Sequence, residues 1–398
     1  MISSKKKKVL QNKRIIVAVT GSVAAYKSIE LVRELVRKGA DVRVVMTPSA
    51  VRFVTPLSLE IASGNEVVSD IFSHPFAHIE LPKSADAIIV APATANTLSK
   101  FYSASASDMV SSCFLSFSGP VIIAPAMNWR MYTDPIFQER LNFLKDRGVI
   151  EVVPEKGNLA CGETGIGKMA SVEKVIAETK KVLSENDLTG RSIVVTAGPT
   201  REYIDPVRFI SNRSSGRMGF AIAEHAFYRG ADVTLISGPS SLEAPYGVNT
   251  EFVETAKEML DSVKKNTVKA DVLIMAAAVA DYSPKHVHTE KIDKSEGLDL
   301  RLIPAIDIIK SISALKKKPL IVGFAAETGD RKDRAREKLR QKGMDMIVFN
   351  NVSLSGAGFD VDTNEVTLID EKSEASYPLM TKGEVARKII DKISGMLT

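Results

Sequence analysis

The chain has 398 residues, 44% hydrophobic and 25% charged, ordinary globular usage and enough length for two packed domains. A formal net charge of +5, much of it carried by Lys5 to Lys8, provides no basic face for nucleic acid, and residues 1–13 read as a solvated basic tail. No apolar stretch follows the charged start and no run of about 18 apolar residues occurs, so neither a secretory signal nor a membrane span is expected and the protein is expected in the cytoplasm. Two cysteines, Cys113 and Cys161, are too few for a disulfide framework, and no C-x-x-C or His-Cys cluster suggests zinc.

The first predicted element is the β-branched run "RIIVAVTG" (14–21), followed by "SVAAYKSIELVRELVRKG", in which Ile29, Val32, Leu35 and Val36 recur at helical spacing. "ADVRVVMT" is the next strand, which completes a strand–helix–strand unit of the parallel-sheet kind. Buried-type strands are predicted at "ADAIIVAPA" (85–93), "PVIIAPAM" (120–127) and "GVIEVVP" (148–154), with "PEKGNLA" after them as a loop. Near residue 185 the pattern breaks at "SENDLTG" and restarts. "RSIVVTAG" (191–198) leads through a long polar loop to a helix at "MGFAIAEHAFYRG" and a strand at "ADVTLISGP". Strands follow at "ADVLIMAAAVADY" (270–282), "PLIVGFAAET" (319–328) and "MDMIVFNNV" (344–352), then a terminal helix in which Val385, Ile389, Ile393 and Leu397 step by four. The fold class is α/β, with two doubly wound Rossmann-like domains joined near residues 185–190. Ligands of such open sheets bind at the carboxyl ends of the strands.

Within "CGETGIGKMA" (161–170), Gly162, Gly167 and Lys168 fall at the G-x-x-x-x-G-K spacing of a phosphate-binding loop. Met169 stands where a hydroxyl should hold magnesium, and no buried strand precedes the motif, so an NTPase is rejected. Taken alone, Cys161 is a surface thiol among turning glycines, His78 a satisfied polar residue before a strand, and Asn96 a helix-terminal or turn residue. Cys113, in "SASASDMVSSCFLSFSG", reads as core.

Together, "VTGSVAAYKS", "HIELPKSADAIIVAPATANTLSK" (78–100), "APAMNWRMYTDP" (124–135) and "GNLACGETGIGKMAS" (157–171) resemble the flavin-containing cysteine decarboxylases, specifically the phosphopantothenoylcysteine decarboxylase half of the bifunctional coenzyme A enzymes. The resemblance covers about residues 12–180. Loss of carbon dioxide from an N-acylcysteine leaves a carbanion with no group to take up charge; oxidising the thiol first to a thioaldehyde creates that sink, and a flavin accepts the hydride. The resemblance implies His78 as base in thiol oxidation, Asn128 on the substrate carboxylate and Cys161 as the acid of the final reduction, with FMN held by Gly21, Ser22 and Asn96. The chain departs from the family pattern at Lys168, where Arg is usual, at Ser107-Asp108, where paired aspartates are expected, and at Trp129 and Tyr132.

The second half carries "TAGPTREYIDPVRFISNRSSGRMG" (196–219), a loop rich in Arg, Ser and Gly that can offer amides and guanidinium groups to an anion. A dinucleotide fold would place G-x-G-x-x-G directly after "VVTAG", and it is missing. The run resembles phosphopantothenate–cysteine ligase over about residues 190–398. Joining a carboxylate to an amine needs a better leaving group than hydroxide, and a nucleoside triphosphate provides it through an acyl-nucleotide and pyrophosphate. The resemblance implies CTP with Mg2+. It also implies Asn212 on the acyl-cytidylate, Arg208 assisting attack by cysteine, and Lys291 in the activation step. Ala277 and Asp281 of "AAAVADY", Asp307, Phe324, Lys338 and Lys342 would receive the nucleotide, Asp281 near its ribose or metal. Without the family, Lys338 and Lys342 are a solvated helix side. Departures from the pattern occur at Asp293 and at Ile306, where Pro is expected.

The two resemblances imply one polypeptide with a tail (1–13), a flavodoxin-like decarboxylase domain (14–185) and a nucleotide-binding ligase domain (190–398), acting on 4′-phosphopantothenate, L-cysteine and CTP. Family decarboxylase halves form trimers and ligase halves dimers, which implies a homo-oligomer, a dodecamer. The alternatives are a flavin-domain regulator without catalysis, which should have lost the acid or the base, and a nucleotide-dependent reductase, which none of the motifs supports.

Overall fold

A computed structural model describes residues 9–293, 298–327, 329, 331–351, 358 and 361–397; Lys5 to Lys8 of the tail lie outside the described residues. The chain forms two compact units, Met1–Glu185 and Asn186–Thr398.

The first unit is built on six parallel strands: Val67–Val68, Asp41–Met46, Arg14–Val19, Ala87–Ala93, Val121–Pro125 and Ile150–Glu151, in that order across the sheet. Counted along the chain this is 3-2-1-4-5-6, the doubly wound Rossmann order. Without the two-residue edge strand Val67–Val68 the order becomes 2-1-3-4-5, that of flavodoxin. Strands buried on both faces must be apolar throughout rather than alternating, and Ile88, Ile89 and Val90 are all buried. The first helix, Lys27–Arg37, turns Leu31, Val32 and Leu35 onto the sheet.

The second unit repeats the plan. Six parallel strands, Asn249–Phe252, Asp232–Ser237, Ser192–Ala197, Val272–Met275, Leu320–Glu327 and Met346–Asn351, again stand in the order 3-2-1-4-5-6. Two antiparallel strands, Thr363–Asp370 and Glu374–Thr381, extend the sheet beyond them, and the sequence pattern did not anticipate either. The terminal helix Lys382–Leu397 buries Val385, Ile389 and Ile393, as their spacing requires.

Several expectations are corrected. "PEKGNLA" is no plain loop: Glu155–Asn158 pairs antiparallel with Thr164–Lys168 as a hairpin. The strand expected over 148–154 shrinks to Ile150–Glu151, and that over 270–282 stops at Met275. There the backbone is diverted sideways, Ala277 N–H donating to Thr196 Oγ1 (3.1 Å) and Ala278 N–H to the Gly198 carbonyl (2.8 Å). His78 lies in a helix, Ala77–Ser84, rather than before a strand, and the polar loop after Ala197 contains a small hairpin, Arg201–Tyr203 with Phe209–Ser211.

A charge cluster ties the start of the second unit to two of its helices. Asp187 accepts from Arg229 Nε (2.5 Å) and from the Ser394 hydroxyl, while Arg229 Nη1 reaches Asp391 at 2.7 Å. The Arg229 hydrogen bonds, against a smaller cost of burial, bring the Asp187 carboxyl down to about 2. A carboxyl depressed by folding contributes stability above its unfolded pKa of about 3.9 and loses that contribution as pH falls through its folded value. Asp187→Asn is therefore expected to lower the stability of this unit by roughly 1–2 kcal/mol at neutral pH, with the difference from wild type vanishing between about pH 4 and 2, in denaturant unfolding followed at several pH values.

Candidate functional sites

In the first unit the crevice opens where the first and fourth strands of the chain lie side by side, the point at which the sheet order reverses. Thr20 closes its floor: Oγ1 donates to the Pro92 carbonyl (2.7 Å) and accepts from Thr94 N–H (3.2 Å). The chain then turns at Gly21, where a Cβ would stand 2.5 Å from that of Ser49, so a side chain is excluded. A cavity of about 400 Å³ lies above, its walls including Ser22, Tyr26, Lys27, Asn128, Cys161 and Lys168. Lys27 donates to the Met169 carbonyl (3.2 Å); burial lowers its pKa, and the nearby Lys168 ammonium lowers it further. Two ammonium groups beside the Ser22 hydroxyl are a donor set suited to a phosphate.

Asn128 caps the short helix Trp129–Tyr132 by accepting the Arg130 N–H at Oδ1 (2.9 Å). That contact fixes the amide and turns Nδ2 outward, 3.2 Å from Cys161 Sγ and 3.0 Å from Glu163 Oε2. Glu163 was missed by sequence reasoning, and it is the hub of this corner. The same Oε2 accepts from Trp129 Nε1 (3.0 Å) and lies 3.9 Å from Cys161 Sγ, while Oε1 pairs with Arg130 at 3.0 Å. The Asn128 hydrogen bond, helped by Arg130 and Trp129 against some desolvation, holds the Glu163 carboxyl below its ordinary range. The only advance signal was position, two residues beyond Cys161 on the turn of a hairpin.

That hairpin carries Cys161 at its exposed tip. Gly167 pins it: its carbonyl accepts Met127 N–H (3.1 Å), its φ is +150°, and a Cβ there would lie 2.2 Å from the Met127 carbonyl oxygen. The phosphate-loop spacing of Gly162, Gly167 and Lys168 thus belongs to a β-hairpin. His78 and Asn96 do not line the cavity. His78 sits in the first turn of its helix with Nδ1 buried and without a hydrogen-bond partner. Asn96 is exposed in the first turn of the helix Ala95–Tyr102, which Thr94 caps. Cys113 is core, and burial pushes its thiol up to about 12.

In the second unit a larger cavity, about 710 Å³, opens at the carboxyl edge of the sheet. Asn212, Ala277, Asp281, Asp307, Phe324 and Lys342 all line it. Asn212 Nδ2 donates to the Val279 carbonyl (2.9 Å), and Thr200 Oγ1 accepts from Ala280 N–H (3.0 Å), so the two loops that carry the site are laced together. Lys342 pairs with Asp307 at 3.0 Å; burial opposes the Asp307 charge, but the Lys310 amide and Lys342 outweigh it and its pKa is lowered. Arg208, Lys291 and Lys338 are not among the lining residues. Lys338 is bound to Glu327 at 2.6 Å. Arg208 pairs with the fully buried Asp205 (2.9 Å) and donates to the carbonyl of Ile292, beside Lys291. Asp205 also accepts backbone N–H groups from Val207 and Arg208 (2.8 and 2.7 Å), and these outweigh its desolvation to bring its pKa to about 2. Among the described residues no group of three or more His, Cys, Asp or Glu side chains converges as a metal site.

Both halves match known families: Flavoprotein over residues 3–184, and the DNA/pantothenate metabolism flavoprotein C-terminal domain over 188–397. Across both, the chain is 42% identical over 393 residues to the coenzyme A biosynthesis bifunctional protein CoaBC of Vibrio cholerae, covering 96% of this chain and 98% of that one. The CoaBC proteins of Bacillus subtilis (42% over 398 residues, 97% and 98% covered) and Haemophilus influenzae (44% over 391 residues, 96% and 98% covered) match as well. The chain belongs to the CoaBC family. It is a bifunctional enzyme of coenzyme A biosynthesis with a flavoprotein decarboxylase half and a ligase half. No helix among the described residues is long and apolar enough to cross a membrane.

For a CoaBC chain the hairpin geometry makes a local test. Gly167→Ala forces Cβ against the Met127 carbonyl at a φ that L-residues avoid, a strain of about 1–3 kcal/mol that displaces the Cys161 tip. Decarboxylation by the first unit is expected to fall on the order of 10²-fold with ligation by the second unchanged, each activity measured separately.

Proposed function

We propose that the second unit couples 4′-phosphopantothenate to L-cysteine with CTP, and that the first unit decarboxylates the product to 4′-phosphopantetheine with FMN. The observation that carries the reading is the convergence of Asn128 Nδ2 and Cys161 Sγ, 3.2 Å apart on one wall of a cavity that also presents Ser22, Lys27 and Lys168. Those three donors fit the FMN phosphate, and the match to the Flavoprotein family supports a flavin there. A flavin held by these donors would supply the oxidation of the substrate thiol and the reduction that follows loss of carbon dioxide. Asn128 holds the departing carboxylate by its outward-turned amide. Cys161 gives its proton to the ene-thiolate carbon.

His78 is the base in this scheme and does not line the cavity of its own chain. A homo-oligomer, with the flavin site shared between copies, brings the histidine of one copy to the cavity of another. Exposed apolar residues support such contacts: Leu57 and Ile61, four apart on the helix Pro56–Ser63, and Phe72, Phe76 and Ile79 on the approach to and within the His78 helix.

In the ligase the substrate carboxylate displaces pyrophosphate from the α-phosphorus of CTP, and the cysteine amine then displaces CMP from the acyl carbon. Asn212 holds the acyl-cytidylate, Asp307, Phe324 and Lys342 surround the nucleotide, and Asp281 is placed to meet its ribose or the Mg2+ that travels with the triphosphate. Arg208, paired with Asp205, serves cysteine attack, Lys291, next to the Ile292 whose N–H the same carboxylate accepts, serves activation, and Lys338 completes the phosphate contacts on leaving Glu327.

The test is incubation of the full chain with phosphopantothenate, cysteine, CTP and magnesium, with products read by mass and ATP substituted for CTP in parallel. Cys161→Ser is expected to accumulate the cysteine adduct while ligation proceeds at the wild-type rate. Phosphopantetheine formed at full rate by that variant would remove Cys161 from the acid role.

A further inference from the structure

The turn that carries Cys161 is closed by the backbone of Glu163. Leu159 N–H donates to the Glu163 carbonyl (2.8 Å) and Gly162 N–H to that of Leu159 (2.9 Å). Gly162, at φ +83°, supplies the left-handed residue that a three-residue hairpin loop requires. The side chain of Glu163 leaves the loop and crosses to the segment that follows the strand Val121–Pro125, where it meets three N–H donors. Oε2 accepts from Asn128 Nδ2 and Trp129 Nε1, each at 3.0 Å, and Oε1 from Arg130 Nη2 at 3.0 Å. Farther along the hairpin a Cβ at Gly165 would stand 2.6 Å from that of Trp129, so the strand lies against the same side chain. Asn128 and Cys161 line the cavity and Glu163 does not, so its effect on a ligand passes through those two.

A primary amide is planar, and its direction is set once both of its ends are held. The Arg130 backbone N–H holds Oδ1 of Asn128 at 2.9 Å, and Glu163 takes one of the two Nδ2 hydrogens. The other hydrogen is left to Cys161 Sγ at 3.2 Å, a weak acceptor that an incoming carboxylate displaces. Without Glu163 the amide is held at Oδ1 alone and swings about that bond. In the decarboxylation the carbon that loses carbon dioxide is the one that accepts the proton, so the group that holds the carboxylate and the group that delivers the proton must sit side by side. Glu163 is bonded to the first and lies 3.9 Å from the second.

We propose that Glu163 is the positioning residue of the decarboxylation site: by holding Asn128 and the turn of Cys161 in one frame, it aims the remaining amide hydrogen at the substrate carboxylate. This rests on the decarboxylase reading above. Arg130, on the far oxygen of Glu163, offsets its charge toward the arriving anion.

The experiment is titration of the FMN-loaded full chain, followed in the visible flavin spectrum, with two analogues of phosphopantothenoylcysteine. The serine analogue keeps the carboxylate and has no thiol to oxidise; the ethanolamine analogue differs from it only in lacking the carboxylate. Glu163→Ala is expected to weaken the serine analogue about tenfold and the ethanolamine analogue by less than about twofold. Glu163→Gln should restore most of the affinity, because its one carbonyl oxygen accepts from both Asn128 and Trp129 while the exposed Arg130 turns to water. Asn128→Ala should lose as much as Glu163→Ala, and the double variant no more than either. The flavin spectrum and ligation by the second unit check that each variant is folded. An unchanged preference for the serine analogue in Glu163→Ala overturns the proposal. So does an equal loss for both analogues, which would make Glu163 a brace for the hairpin alone, and so does Glu163→Gln binding as weakly as Glu163→Ala, which would make charge the active property. Additive losses in the double variant overturn it too, since Glu163 would then act without Asn128. A wild type that prefers the serine analogue yet releases no carbon dioxide from phosphopantothenoylcysteine sinks the decarboxylase reading and leaves the positioning role standing.

Discussion

The constraint on which both halves depend is the burial of a parallel sheet on both faces. Parallel strands need long crossovers, the crossovers must lie over the faces, and only the strand ends remain to carry polar chemistry. In each unit the order 3-2-1-4-5-6 makes the crossovers leaving the first and fourth strands diverge to opposite sides, which opens a crevice at their carboxyl ends. Ser22 follows the first strand of one unit, and Asn212 and Ala277 follow the first and fourth strands of the other. The chemistry differs between the units; its location does not.

That common plan explains what could be read from sequence. Continuous apolar runs such as Ala87–Ala93 and helices with apolar residues three and four apart are signals of burial itself, and burial decides the core. Elements with little burial gave weak signals. The strands Glu155–Asn158 and Thr164–Lys168 expose many of their side chains and contain five glycine and lysine positions that do not favour β-structure, so their pairing is fixed by ladder hydrogen bonds and by Gly167 at the Met127 carbonyl. The strand Glu374–Thr381, at the edge of its sheet and largely exposed, was lost for the same reason.

Residue types announced the sites better than their connections. Asn128, Cys161 and Asn212 stood out because they lie in unusual strings, but Glu163 and Asp205 did not, since a carboxylate on a polar turn is ordinary. Their importance is relational. Asp205 is fully buried and gathers amides from two segments that lie more than eighty positions apart, and Glu163 binds Asn128, Trp129 and Arg130 through both of its oxygens. No spacing rule announces a carboxylate whose partners are chosen by a hairpin folding back.

The two cysteines show how far environment, rather than residue type, sets chemistry. Cys113 lies among Phe101, Met109 and Val110 in the core of the first unit, where a thiolate would be stranded without solvation; burial raises its pKa to about 12 and leaves it a small apolar filler. Cys161 is on an exposed hairpin tip, with the Asn128 amide nitrogen and the Glu163 carboxylate, themselves hydrogen-bonded, on the same side of its sulfur. The exposed hairpin turn gives this thiol access both to solvent and to the cavity, which the interior of the sheet cannot give.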